Sequence, residues 1–278
     1  EHARGSGLIN KDGTPGPLIW LNRGLKTKCT LTDGPTSNRE PYLKGVKVLD
    51  LCNVIAGPKI CGTLARYGAE VIKLDPEKPM YDPIVTIILG IPHNKGKKSI
   101  LVDLKKDKEI LKKLVSWADI VVINQTKSQL YTLGLDKNTL SSYKKNIILM
   151  HFDAFGGPGW GNLSDSVGYD DILQAATGIM HRFGGSLDTP EEHAHIGTID
   201  VISGITGALV SVLALYKLKT TNLACTARTS LASCSQLIQI PFMLPGDEKD
   251  PNNNEYRTLK PNQNLIDNIG WYKTSDGI

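Results

Sequence analysis

Asp200 stands at the head of the most apolar stretch of the chain, directly after Gly197-Thr198-Ile199. A carboxylate in that setting suits two different jobs. It can cap the helix that follows, a common task for aspartate. It can also serve as nucleophile or base, because a helix N-terminus carries partial positive charge that stabilises an anion. The following segment spaces Ile202, Ile205, Leu209, Val212, Leu213 and Tyr216 as an apolar helical stripe, with Gly204, Gly207 and Ser211 on the side of Asp200. A stripe of small residues admits another backbone or a ligand at close range. Spacing leaves the cap and the reactive carboxylate both open.

Other chemistry-bearing residues are less ordered. His93, His151, His181, His193 and His195 are scattered. His193 and His195 alternate like a pair of metal ligands, but no third ligand accompanies them, so no metal is expected. The five cysteines are odd in number and contain no CxxC pair. That argues against a disulfide framework and a zinc site, and for a reducing, cytoplasmic setting, with mitochondrion and peroxisome left open. The formal charge of +4 is spread along the chain, in runs such as Lys95-Gly96-Lys97-Lys98 and Lys105-Lys106-Asp107-Lys108. Such runs read as solvated faces, and they also suit an anionic, phosphate-bearing ligand. No aromatic-interleaved basic motif supports a nucleic-acid partner. Polar and glycine residues interrupt Ile199 to Leu218, so a core helix explains that stretch better than a membrane span.

These residues must be positioned by a scaffold, and the spacing predicts which one. Short β-branched runs recur at Val46–Leu51, Val71–Leu74, Ser99–Leu104, Ile120–Ile123 and Ile147–Phe152. They are nearly continuous in apolar residues, the pattern of strands buried on both faces. Helical segments lie between or after them, at Pro58–Tyr67, Lys108–Trp117, about Asp170–Arg182 and about Asp200–Lys217. Alternation of this kind predicts an α/β fold, a Rossmann-like parallel sheet with flanking helices. Residues 1–41, rich in Gly, Pro, Thr and Asn, read as an extension or the tail of an upstream domain. Residues 42–218 read as the large domain. Residues 219–278 read as a linker and the start of a small domain, with Pro245–Pro261 as loop. The absence of an initiating methionine and a strand signal near Ile278 lead to the expectation that both ends are fragment ends.

Several segments carry a resemblance. They are Leu43–Leu51, Ala56-Gly57-Pro58, Gly68–Lys73, Asn94–Ile100 with Asp103-Leu104-Lys105, and Ala118-Asp119 through Asn124. Leu133-Gly134-Leu135, Phe155-Gly156-Gly157-Pro158, Gly168-Tyr169-Asp170 and Gln174-Ala175 continue the series. In this order and spacing they resemble the family III CoA-transferases, the carnitine dehydratase/bile-acid-inducible protein group that includes formyl-CoA transferase. Tyr272–Gly277 resembles a later segment of the same family.

The resemblance implies that Asp200 is the catalytic nucleophile, moving CoA between an acyl-CoA and a small free carboxylic acid through a covalent aspartyl intermediate. It implies coenzyme A contacts at Val54, Ile55, Ala56, Val102, Lys105, Asn124 and Gln125, and an interlocked homodimer for the whole protein. Family members carry arginines near the positions of Pro76 and Thr132; here both are lost, and Lys78 or Lys127 could substitute only as point charges. Members that racemise α-methylacyl-CoA have a histidine at the position of Tyr169. A tyrosine, with a reference pKa of about 10, is poorly tuned as a base near neutrality. That favours transfer over racemisation and leaves Tyr169 as a candidate substrate-site residue. An inactive CoA-binding or dimer-scaffold homologue is the other alternative.

Overall fold

A computed structural model describes residues 17–243, except for 23, 25, 32–36, 38–39, 79–81, 157–162, 164–165, 185 and 194–196. Seven strands among these residues form one sheet: β1 (Trp20–Asn22), β2 (Lys47–Asp50), β3 (Glu70–Asp75), β4 (Lys98–Leu101), β5 (Ile120–Ile123), β6 (Ile148–Asp153) and β7 (Thr226–Ser230). The spatial order is β1-β7-β6-β5-β2-β3-β4. All neighbours from β4 to β7 pair in parallel, and only β1 runs antiparallel, against β7. The α/β expectation holds. The Ile120–Ile123 run is buried at all four positions, as a strand covered on both faces must be.

Nine helices flank the sheet in the described residues: α1 (Ala56–Arg66), α2 (Pro83–Asn94), α3 (Lys108–Trp117), α4 (Lys127–Leu133), α5 (Lys137–Tyr143), α6 (Asp170–Ala176), α7 (Ile179–Gly184), α8 (Thr198–Thr221) and α9 (Leu231–Met243). Successive strand residues point to opposite faces. Val48, Ile120, Val122, Ile148 and Met150 therefore join Ile60, Leu64, Val210 and Ala214 in one core. Leu49, Val121, Ile123 and Leu149 join Leu111, Val115 and Leu140 in the other. At 24 residues α8 is long and apolar enough to cross a membrane, yet its buried side belongs to the first core and packs on α1, as a core helix does.

Three sequence expectations are corrected. The single helix expected over Asp170–Arg182 is two, broken at Gly178, whose φ of 82° no helix accommodates. The sheet is not confined to residues 42–218. β7 and α9 extend it beyond residue 218, and β1 closes its edge from within the first 41 residues. Thr229 Oγ1 donates to the Leu18 carbonyl at 2.8 Å, and Asn146 Nδ2 to Thr30 Oγ1 at 2.6 Å, so the described residues between 17 and 41 pack on the same sheet. The Pro245–Pro261 loop and the Tyr272–Gly277 segment lie outside the described residues.

Candidate active site

The sheet fixes where a ligand can bind. From β2 the chain moves outward to β3 and β4; it then returns to the other side of β2 to lay down β5, β6 and β7. The strand order thus reverses between β2 and β5, and loops leaving their carboxyl ends part to opposite faces. In open parallel sheets that divergence is where crevices form. A cavity of about 680 Å³ lies there, bounded by the β2–α1 turn, the residues after β4 and β5, and Asp200.

Of the nine residues singled out by sequence, eight meet in this one cavity: Val54, Ala56, Val102, Lys105, Asn124, Gln125, Tyr169 and Asp200. Ile55 does not; its Cδ1 points towards Gly197, where an added Cβ would lie 3.3 Å from it. Of the two positions at which resemblance predicts arginine, Pro76 lines the cavity, whereas Thr132 is exposed and bonds back to the Ser128 carbonyl. Lys78 and Lys106 add positive charge to the lining beside Lys105, while Lys127 borders an adjoining cavity of about 90 Å³. Thr126, Gln129 and Leu231 also line the larger cavity and were not singled out by sequence. They share a position at a helix start just past a strand, which only the topology makes meaningful.

Asn124 and Gln125 also carry hydrogen bonds within the fold. The Asn124 carboxamide accepts from the Asn53 N–H at 3.2 Å and donates to the Asn53 carbonyl at 3.0 Å. Gln125 Nε2 donates to the Leu51 carbonyl. Both side chains thus stitch the β5 end to the β2–α1 turn. What Gln125 still offers is its Oε1, a buried acceptor with no hydrogen-bond partner. An orphaned acceptor at a cavity wall favours a ligand carrying an N–H or O–H there.

Asp200 is not the helix cap. Gly197, in the left-handed region at φ 68°, takes that place, and Asp200 is the third residue of α8. Its own backbone N–H, one of the unpaired donors of a helix start, bonds to Asp170 Oδ2 at 2.9 Å. The other oxygen of Asp170 accepts from Gln174 Nε2, and Gln174 Oε1 accepts from the His193 N–H at 2.7 Å. Asp170 thereby joins α6 to α8.

The Asp200 side chain is buried, with 7% of its surface exposed. Burial, followed by the charges of Asp170 and Asp171, pushes its pKa up to about 7. Near neutral pH the carboxyl is therefore poised between its two forms. The small residues below it serve helix packing: a Cβ on Gly204 would overlap Lys59 and come within 3.0 Å of the Ala56 carbonyl, and one on Gly207 would lie 2.5 Å from Ile60 Cδ1. The expected close approach is thus to α1, and it brings Asp200 level with the β2–α1 turn.

Residues 43–278 match CoA-transferase family III. The chain belongs to that family. Among curated relatives it is 39% identical to the CoA-transferase/lyase DddD of Marinomonas sp. (strain MWYL1), over 91% of this chain and 35% of the relative. To the human succinyl-CoA:glutarate CoA-transferase it is 29% identical, over 92% of this chain and 58% of the relative. Among solved structures, the family protein Rv3272 of M. tuberculosis superimposes with a TM-score of 0.66 at 26% identity, over 74% of this chain and 57% of that one. A CAIB/BAIF family protein from Brucella suis does so with a TM-score of 0.66 at 25% identity, over 74% of this chain and 57% of that one. The chain thus spans between 35% and 58% of the length of these family members.

Proposed function

We propose that this chain carries the CoA-binding half and the nucleophile of an enzyme that moves CoA from an acyl-CoA to a free carboxylic acid. The observation that carries the reading is a buried carboxyl of pKa about 7 lining the same cavity as Lys78, Lys105 and Lys106, whose charge Glu77 and Asp103 offset only in part. A cavity lined by both ammonium groups and a reactive carboxyl suits a ligand that carries both phosphates and a thioester. The relatives named as CoA-transferases act in the same sense.

In this reading the ionised Asp200 attacks the thioester carbonyl. The carbon–sulfur bond breaks, giving a mixed anhydride and CoA thiolate. The thiolate then attacks the aspartyl carbonyl, releases the donor acid and leaves an aspartyl-CoA thioester. The acceptor carboxylate attacks that thioester and expels the thiolate, which finally attacks the new acyl group and frees Asp200. Each step exchanges one activated acyl bond for another, so no step is far uphill. A desolvated carboxylate suits the first attack, since it sheds no water shell, and unpaired N–H groups at the start of α1, beside Ala56, suit the developing oxyanion.

Hydroxylamine trapping tests the reading. The full-length protein incubated with acyl-CoA and hydroxylamine is expected to yield a hydroxamate at Asp200, located by mass spectrometry, and none in Asp200→Asn. Labelled free acid is expected to enter the CoA pool. Trapping at another residue, or no exchange across a panel of acids, overturns it. A carboxyl of pKa about 7 is also tuned for proton exchange beside a thioester. Deuterium uptake at the α-carbon without acid exchange would select that second reading.

A further inference from the structure

The middle lysine of the basic run Lys95-Gly96-Lys97-Lys98 is not solvated. Lys97 and its partner Asp50 have side chains 1% and 0% exposed. The Lys97 ammonium donates to Asp50 Oδ2 at 2.7 Å, to the Pro58 carbonyl at 2.8 Å and to Asn94 Oδ1 at 2.8 Å. Its three protons are thus all engaged. A second buried lysine, Lys73, donates to the Cys52 carbonyl and to Asp75. Lys97 thus spans the turn that joins β2 to α1 and lines the cavity, and Lys73 holds the Cys52 carbonyl within it.

That turn is strained. Val54 sits at φ 65°, in the left-handed region. A β-branched residue there is an outlier that persists only when its surroundings enforce it. Asp50 and Pro58 flank the turn, and Lys97 ties one to the other. Asp50 Oδ1 in turn accepts from the Cys52 N–H at 3.0 Å.

We infer that Lys97 is a positioning residue for CoA: by joining Asp50 to the first turn of α1 it holds the Cys52–Ala56 turn in the left-handed form that faces the cavity. Lys97 then contributes no charge to a phosphate, and its effect on the ligand passes through the backbone at Val54. The inference rests on the CoA reading of the cavity proposed above.

The test is a double-mutant cycle of Lys97→Met and Val54→Gly in the full-length protein, with CoA binding measured by calorimetry. Glycine adopts positive φ without enforcement, so it should relieve the need for the clamp. Lys97→Met is expected to weaken CoA binding by about tenfold or more in the Val54 background, and by no more than about threefold beside Val54→Gly. Equal losses in both backgrounds, or no loss in either, would overturn the inference. If Lys97→Met does not fold, the pair Asp50→Asn with Lys97→Met replaces it, since no unpaired charge is then buried. Hydrogen exchange of the ligand-free protein separates this inference from the functional reading. Lys97→Met should expose the Cys52 and Asn53 amides while those of β5 stay protected, and unchanged protection in the turn would refute the clamp. A parent protein that shows no CoA binding refutes the functional reading and removes the role towards CoA, whatever the exchange result.

Discussion

Replacing Asp200 by asparagine should make the protein more stable above neutral pH while abolishing covalent chemistry. The folded-state pKa of about 7 compares with 3.8 for the free side chain, so the native state binds this proton more tightly than the unfolded chain does. Stability from this group is therefore highest below pH 3.8 and falls as pH rises towards 7; beyond that the penalty is constant. About three pKa units at about 1.4 kcal/mol each give a penalty on the order of 4 kcal/mol. Asparagine has nearly the same shape and no charge, but its amide protons need partners, which offsets about 1–2 kcal/mol of the gain. A net stabilisation of about 2–3 kcal/mol at pH 8 is expected, shrinking to zero or slightly below at pH 4. Urea unfolding at pH 4, 6 and 8 reads it directly; with a slope of about 2–3 kcal/mol per molar urea, the midpoint should rise by about 1 M at pH 8. A midpoint difference that stays the same from pH 4 to pH 8 would refute the argument that a buried, repelled charge sits at Asp200.

Asp170→Asn removes the stronger of the two named repelling charges, so the pH at which Asp200 becomes half-trapped by hydroxylamine should move down from about 7, as a pH series would show. Gly204→Val places side-chain atoms where Lys59 and the Ala56 carbonyl already lie, and should cost about 1–3 kcal/mol in thermal unfolding by forcing α8 from α1. A Cβ at Gly24 would overlap the Ala224 carbonyl, so Gly24→Ala should loosen the N-terminal segment and expose the β7 edge; light scattering is expected to show increased association. Lys105→Gln should weaken CoA binding modestly and reduce its salt dependence, measured by calorimetry at two ionic strengths, because its charge stands exposed at the cavity wall.

Legibility of the fold followed burial. The Ile120–Ile123 run was readable to the residue because a strand covered on both faces must be apolar throughout. β7 was not, since its Thr226-Ala227-Arg228-Thr229-Ser230 sequence meets its needs with hydrogen bonds and an Arg228–Asp153 ion pair at 2.7 Å. Nothing apolar marks it. The short helices α4 and α5 escaped for a related reason: seven residues each are too few to display a period. Apolar Pro83–Asn94 reads as neither clearly helix nor strand until Asp82, accepting from the Ile84 N–H at 2.8 Å, is seen to start a helix.

At the site the division is sharper. Sequence alone determined that Asp200 opens a long apolar helix and that glycine-rich and β-branched segments follow one another in the order of a CoA-transferase family III chain. Residue type and spacing carry that much, because they are local properties. Only the tertiary structure decided that Asp200 is the third residue of its helix, that Asp170 holds its N–H from another helix, and that Lys97 is buried within a charged run. These depend on which elements the sheet brings side by side, and a carboxylate's pKa or a lysine's partner is set by neighbours distant in the chain. Asp170 lies 30 residues from Asp200, and Lys97 lies 47 from Asp50.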